Sequence, residues 1–395
     1  MFRMAVGHSD DIDLDAALEA VFAQCDEALG GVAPRAGLLM APWGTDHQAI
    51  VDGVRRRYPG IELAGSTTAG EMSSVLGFQE DSIALALFAS DTVDITVGLG
   101  RDLGVDPVAA TRQAVDEARA KTSLPPSLCI AIPAIGSVEA GRILAGLRAA
   151  LGPGVPVLGG GAGTSDPSAD PSGPTGSESR QLAGDVVTDG AVAVLLFSGP
   201  LDYSFGVETG WRGVGARGVA TKVASARVLE IDGHPAVELY DRYLGPSPPP
   251  LANPLAIFED ADTAAFYLRT PTAFDRDTGS IAFFGAVPEG STVQITVAAT
   301  EEIFGGARAS ITDALASFPK GRTPDAALIY SCVTRRFLLG TRAGREIEIV
   351  RDVLGSAIPV AGFYCMGEIA PMPSADVSQF HNATLVAVLL GSSSA

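Results

Sequence analysis

Three apolar runs are too continuous to alternate: Ala36–Ala41, Leu128–Ile132 and Ala326–Ser331. Runs of strand length with no polar face predict strands covered on both sides. Each leads through a polar or Gly/Pro-containing turn into a helix-compatible stretch, over Gln48–Arg57, Val138–Leu151 and Arg345–Leu354. Each helix leads to a second short strand ending in glycine: Ile61-Glu-Leu-Ala-Gly65, Val155-Pro-Val-Leu-Gly159 and Ile358-Pro-Val-Ala-Gly362. A β-rich stretch then closes each copy, over Ser82–Phe88, Ala191–Phe197 and Thr384–Leu390. The same order in three places predicts an α/β fold of duplicated βαβ-type units with glycine-rich strand-end loops, an N-terminal half and a related C-terminal half. Ligands in open α/β sheets sit outside the carboxyl ends of strands, where these loops would lie.

The pattern changes between the second and third copies. Asp166–Arg180 is a Pro/Ser/Gly-rich loop, expected to be mobile and the first site of proteolysis. Val237–Leu244 has helical spacing and is ended by Gly245 and the prolines after it. Strands are expected at Ile281–Ala286 and Thr292–Ala298, and a helix at Ala307–Ser317. The change near Ala220–Gly233 places a boundary there, dividing the chain into 1–225 and 226–395.

Composition narrows the function. Lys+Arg is 27 and Asp+Glu is 46, a formal net charge of −19 over 395 residues. That repels phosphate and anionic lipid, so neither nucleic acid nor a membrane surface is expected as a partner. No apolar stretch approaches the length of a membrane span, and the start turns acidic at once (Ser9 to Asp15) rather than reading as a signal peptide. The four cysteines form no CxxC pair. A soluble, reduced, cytoplasmic protein is expected.

The candidate chemistry sits in the glycine loops. In the first, Ser66, Thr67, Thr68, Gly70 and Glu71 offer hydroxyls, backbone N–H groups and one carboxylate. They suit the carboxylate and ammonium of an amino-acid-like ligand, or a tight strand exit that satisfies itself. Gly160 and Gly161 contribute only backbone or space; the spacing is not that of a dinucleotide loop. Glu368 repeats the position of Glu71, and Tyr364 shares its loop. Two such carboxylates either face one cleft or each back their own loop. Arg335, just past a buried strand, is either a clamp for a ligand anion or the partner of Glu368 or Glu71. Cys332, with its thiolate favoured by Arg335, could join His381 and Asn382 in a Cys–His–Asn set, but the spacings match no such signature. No HxH, HExxH or CxxCH occurs, so no metal site is expected. A non-covalent haem needs only one axial histidine and stays open as an alternative.

The loops at 65–71 and 158–163 resemble the hallmark of the N-terminal part of the FIST domain. Gly210-Trp-Arg-Gly-Val-Gly215 and Leu229–Tyr240 resemble its middle. Cys332-Val-Thr-Arg335, Gly362–Glu368 and Phe380-His-Asn-Ala-Thr384 resemble its C-terminal part. The resemblance implies a FIST N-like domain over 1–225, a FIST C-like domain over 226–395, and a bacterial intracellular sensory module that binds a small ligand such as an amino acid. It implies no enzyme. A haem-based nitric-oxide sensor is the first alternative, and an enzyme using Cys332 or the paired glutamates the second. No output segment follows Ser394-Ala395, so a separately encoded signalling partner is expected. The ligand pocket is expected where the Gly65, Gly159 and Gly362 loops meet Cys332–Arg335 and His381–Asn382.

Overall fold

The computed structural model describes residues 1–135, 140–163, 179–246, 251–258, 263–372 and 377–392. Most of the expected mobile loop, Asp166–Arg180, lies outside the described residues; Ser179 and Arg180 lie within them.

One unit occurs three times. The first runs β1 (Phe2–Ser9), α1 (Leu14–Leu29), β2 (Ala36–Pro42), α2 (His47–Arg57) and β3 (Glu62–Thr68). A hairpin, β4 (Glu71–Ser73) and β5 (Gly77–Gln79), and a closing strand β6 (Ile83–Ser90) complete it. The second repeats that order: β7 (Asp94–Gly100), α3 (Pro107–Arg119), β8 (Pro126–Pro133), α4 (Ala140–Leu151) and β9 (Val157–Gly160). Its hairpin is β10 (Arg180–Ala183) and β11 (Val186–Asp189), and its closing strand β12 (Val192–Ser198).

The third unit opens with β13 (Leu201–Glu208) and is then interrupted. An antiparallel sheet is inserted: β14 (Arg212–Ala224), β15 (Arg227–Ile231), β16 (His234–Pro235), β17 (Leu255–Phe258), β18 (Phe266–Arg269), β19 (Pro271–Asp275), β20 (Ser280–Phe283) and β21 (Thr292–Val297). Helix α5 (Ala236–Leu244) packs on it around Tyr240. The unit resumes with α6 (Thr300–Ser317), β22 (Ala326–Cys332), α7 (Val333–Leu339), α8 (Arg345–Leu354) and β23 (Val360–Cys365). The hairpin β24 (Glu368–Pro371) and β25 (Ser378–His381) and the closing strand β26 (Leu385–Ser392) end it. The expected helix at Ala307–Ser317 thus begins seven residues earlier, and the expected strand at Ile281–Ala286 stops at Phe283. Residues 225 and 226 fall at the turn between β14 and β15, whose strands pair Ala224 with Arg227.

The three apolar runs are β2, β8 and β22, each parallel to the glycine-ending strand of its own unit and antiparallel to its closing strand. Both faces are indeed covered. In β2, Ala36, Leu38 and Met40 face a central core shared by all three six-stranded sheets, while Leu39 and Ala41 face α1 and α2. Helices α3 and α4 cover the second sheet on its outer face, and α6, α7 and α8 the third. No helix among the described residues is long and apolar enough to cross a membrane.

No sheet is completed by its own unit. The orders are β1-β6-β2-β3-β10-β11, β7-β12-β8-β9-β24-β25 and β13-β26-β22-β23-β4-β5. The second unit lends its hairpin to the first sheet, the third to the second, and the first to the third. Gly65, Gly159 and Gly362 sit at equivalent points of this arrangement. A side chain there would collide with the carbonyl oxygen of Leu39, Ala131 or Ile329 on the neighbouring parallel strand. Gly65→Ala or Gly362→Ala is therefore expected to cost about 2–4 kcal/mol in denaturant unfolding. Gly305, exposed in α6 with open space around its Cβ position, is expected to gain about 0.5–1 kcal/mol on replacement by Ala. Its neighbour Gly306, pressed against the backbone of Thr209 and Gly210, is expected to lose stability by the same change.

Candidate functional site

The three glycine loops do meet, and they interlock. Ala69 N–H donates to the Tyr364 carbonyl at 2.9 Å, Met366 N–H to Gly161 at 3.0 Å, and Gly163 N–H to Thr67 at 2.9 Å. Each loop gives one bond to the next, so the ring closes. Ser66, Thr67, Thr68, Gly70, Glu71, Gly160, Gly161, Tyr364 and Glu368 are all buried in or beside this knot. Backbone groups that would otherwise be orphaned at strand ends are satisfied by one another.

The two repeated glutamates do not share a cleft. The Glu71 carboxyl accepts from Thr68 Oγ1, from Ser82 Oγ at 2.6 Å and from Ser82 N–H at 3.3 Å. The Glu368 carboxyl accepts from Cys365 Sγ at 3.3 Å, Thr384 Oγ1 at 2.6 Å and Thr384 N–H at 3.1 Å. Ser82 and Thr384 are the residues just before β6 and β26. Each glutamate therefore joins a lent hairpin to its own unit's closing strand. The second unit has Gln181 at this place, opposite Ser66 in β3 as Glu71 is opposite Phe363, and its Oε1 accepts from Ala191 N–H at 3.1 Å. Burial pushes both glutamates up to about 7, against the hydroxyl and N–H donors that favour the ionised form.

His8 extends the first of these joints. Its Nδ1 is 2.8 Å from Ser73 Oγ and its Nε2 2.8 Å from Ser82 Oγ. With Ser82 donating to Glu71, Nε2 carries the hydrogen and Nδ1 accepts from Ser73. Burial lowers the His8 pKa to about 4 despite Asp10 nearby, so the ring is neutral. Nothing in the sequence around His8 marks this role.

Arg335 pairs with Glu346, not with Glu368 or Glu71. Its NH2 is 2.5 Å and its Nε 2.9 Å from Glu346 Oε1, and both side chains are fully buried. The remaining donors reach the carbonyls of Thr209, Ile303 and Ala383. Glu346 Oε2 accepts from Ser331 Oγ at 2.9 Å and from Tyr364 OH at 2.7 Å. Tyr364 thus supports the ion pair from within the third sheet.

Cys332 is 2 % exposed, and its thiol is pushed up to about 12 by burial and by Glu368 nearby. That corrects the expectation of a thiolate favoured by Arg335. His381, also buried, has Nε2 3.0 Å from the Ala370 carbonyl, and burial lowers its pKa to about 4. Asn382 accepts from Thr270 N–H at 3.1 Å and donates to the His381 carbonyl at 2.9 Å, tying the inserted sheet to the core. No hydrogen bond joins Cys332 to His381 among the described residues. His8 is bonded at both ring nitrogens, His381 and His47 each face a backbone carbonyl through Nε2, and His234 is exposed in β16.

Open space lies beside the knot, at the seam between the third unit and the inserted sheet. A cavity of about 410 Å³ is lined by Val207, Glu208 and Thr209 at the end of β13, and by Ala264–Leu268 around β18. Met372, His381 and Thr384 complete it. Of the expected ligand-binding residues, His381 alone lines it. Glu208 is half-buried; burial and the Asp313 carboxylate raise its pKa above the ordinary carboxyl range. No Lys or Arg is among the lining residues. The sequence shows Glu208 only as a strand-end acid, so nothing local could have marked it.

The FIST N domain model matches residues 35–234 and the FIST C domain model residues 236–371. No curated protein matches. Among solved structures, the chain is similar to a cyanuric acid hydrolase from A. caulinodans, at 12% identity over all of both chains with a TM-score of 0.38. It is also similar to a cyanuric acid hydrolase described as an evolutionary innovation by structural concatenation, at 9% identity over all of both chains and the same TM-score. Likeness at that level carries nothing about activity.

Arg335→Ala is expected to cost about 3–5 kcal/mol in equilibrium unfolding, because Glu346 is left buried and unpaired; replacing both by apolar residues of similar volume is expected to recover much of the loss. A second expectation concerns pH. The glutamates bind protons more tightly folded than unfolded, where the ordinary value is 4.5. Their contribution is complete below about pH 4.5 and is lost as pH rises through about 7. Between about pH 5 and 8, wild type is expected to lose about 2–3 kcal/mol relative to Glu71→Gln or Glu368→Gln, measured by unfolding at each pH. A flat difference would show that these carboxyls ionise normally.

Proposed function

The chain belongs to the FIST family, whose domains are associated with signal transduction and small-ligand binding, and we propose that it senses a small amine-bearing molecule, amino-acid-like in size, in the seam at Glu208. The observation that carries this is the cavity itself. It lies between two separately built bodies of the fold, where ligand sites concentrate, and at the carboxyl ends of the parallel strands. Its apolar walls come from Phe266, Leu268, Met372 and Val207, and its one carboxylate is Glu208. A carboxylate half-withdrawn from water with no basic neighbour in the lining favours an ammonium group. Thr384 and His381 add hydrogen-bonding groups at the same surface.

The seam also supplies a route to a signal. A ligand there touches β18 of the inserted sheet on one side and β13 and β25 of the core on the other. Its binding energy favours one placement of the insert over others, which a partner protein can read. Thermal denaturation against a panel of amines and amino acids tests the reading. At a hundredfold excess over Kd, a true ligand is expected to add about 2.7 kcal/mol. Glu208→Gln is expected to weaken it by about tenfold or more. Equal stabilisation of the variant, or stabilisation only by molecules without an amine, would remove the proposal.

A further inference from the structure

A different feature lies on the outer face of the first sheet. Arg180 opens β10, beside the carboxyl ends of β2 and β3, and its main-chain N–H donates to Thr67 Oγ1 at 2.9 Å. Its guanidinium lies over the Trp43 ring, 4.9 Å from the centroid. Its NH1 is 3.4 Å from His47 Nδ1. His47 Nε2 faces the Pro42 carbonyl, which can only accept, so Nε2 carries the hydrogen and Nδ1 presents its lone pair to Arg180. Burial lowers the His47 pKa, keeping the ring neutral.

The arginine is therefore held on two sides by neutral groups, an aromatic face and an imidazole lone pair. Among the described residues, no carboxylate comes within ion-pair distance of it. The neighbouring acid, Asp46, is engaged in capping α2 through Ala49 N–H. Other arginines with restricted side chains have their donors engaged: Arg335 by Glu346, Arg336 by Glu80, Arg322 by Asp202 and Arg276 by Asp241, while buried Arg269 bonds the carbonyls of Leu268, Ala286 and Phe380. In a chain of net charge −19, acids were available to do the same here. Instead the fork is oriented and, among the described residues, its charge is left open, at the positive end of α2, which begins at His47. Fork geometry matches the paired oxygens of a carboxylate or a phosphate.

We propose that Arg180, seated on Trp43 and steered by His47, binds the oxyanion group of a small molecule, in a site separate from the seam at Glu208. Trp43 is the reporter, since the protein has two tryptophans and the other, Trp211, is buried. Sodium phosphate and sodium acetate are titrated into the full chain while tryptophan emission is followed, against sodium chloride at equal ionic strength. A saturable change with phosphate or acetate, absent with chloride and absent in Trp43→Phe, is the expected result. Phosphate binding more tightly assigns a phosphorylated ligand, acetate a carboxylate; either supports the site. Arg180→Gln is expected to raise the apparent Kd by about tenfold or more while leaving the thermal midpoint unchanged, because no acid among the described residues is left unpaired. Arg180→Lys keeps the charge without the fork and is expected to fall between. Calorimetry of the unaltered protein with the same salts gives a reading that depends on no variant. The proposal is overturned if all three salts act alike in both measurements, or if Arg180→Gln titrates like wild type.

Discussion

Every parallel strand pair in this protein ends in an open edge that its own unit cannot close. Strands β3, β9 and β23 each present a row of N–H and C=O groups, and such a row must be paired or covered. The hairpins lent from unit to unit do this in a closed circle. The three glycine loops are the points where the chain crosses from one sheet to the next, and their mutual hydrogen bonds follow from that crossing. So does the need for Glu71, Glu368 and Gln181, which fix each lent hairpin to the residue just before the closing strand behind it. With the crossing occupied by backbone, the centre is used for assembly, and open space is left at the periphery.

The insertion breaks the threefold repeat at one place. Chain leaves the third unit at Thr209 and returns at α6, and the carbonyls of Thr209 and Ile303 both bond the Arg335 guanidinium. One buried ion pair thus holds the two ends of the inserted segment together against α7 and α8. The seam cavity is adjacent, bounded by that same Thr209. A rigid root beside a lined gap lets the inserted sheet be held at its base while its far strand, β18, meets whatever fills the gap.

The local pattern carried much of the fold. Strands β2, β8 and β22 announced themselves by continuous apolar runs, and α8 was bounded at Arg345–Leu354 by its own spacing. The FIST resemblance agreed with the matched domains. The exchange of hairpins was not legible, because β4 and β5 are three residues each and β4 pairs with a strand nearly three hundred positions away. No periodicity encodes a partner. The two Gly-Glu pairs mark equivalent positions, but equivalence in a repeat does not say that two groups share a space. Arg335 was recognised as needing an anion; Glu346 was hidden because, in sequence, it is one more acid on the polar side of an amphipathic helix. Residues of the seam and of the Arg180 cluster come together from elements far apart, which only the folded chain brings into register.

The circle of lent hairpins also sets an order in time. A ribosome delivers the first sheet's missing strands, β10 and β11, by residue 189, so that sheet can close while synthesis continues. The hairpin β4–β5 has no such luck. It emerges early, yet its partner β23 ends at Cys365, so its edge waits unpaired through most of translation. Long-range pairing of this kind is slow and leaves nascent edges exposed. The strands that wait are three residues long, and brevity is a protection: an edge so short is a poor template for another nascent chain.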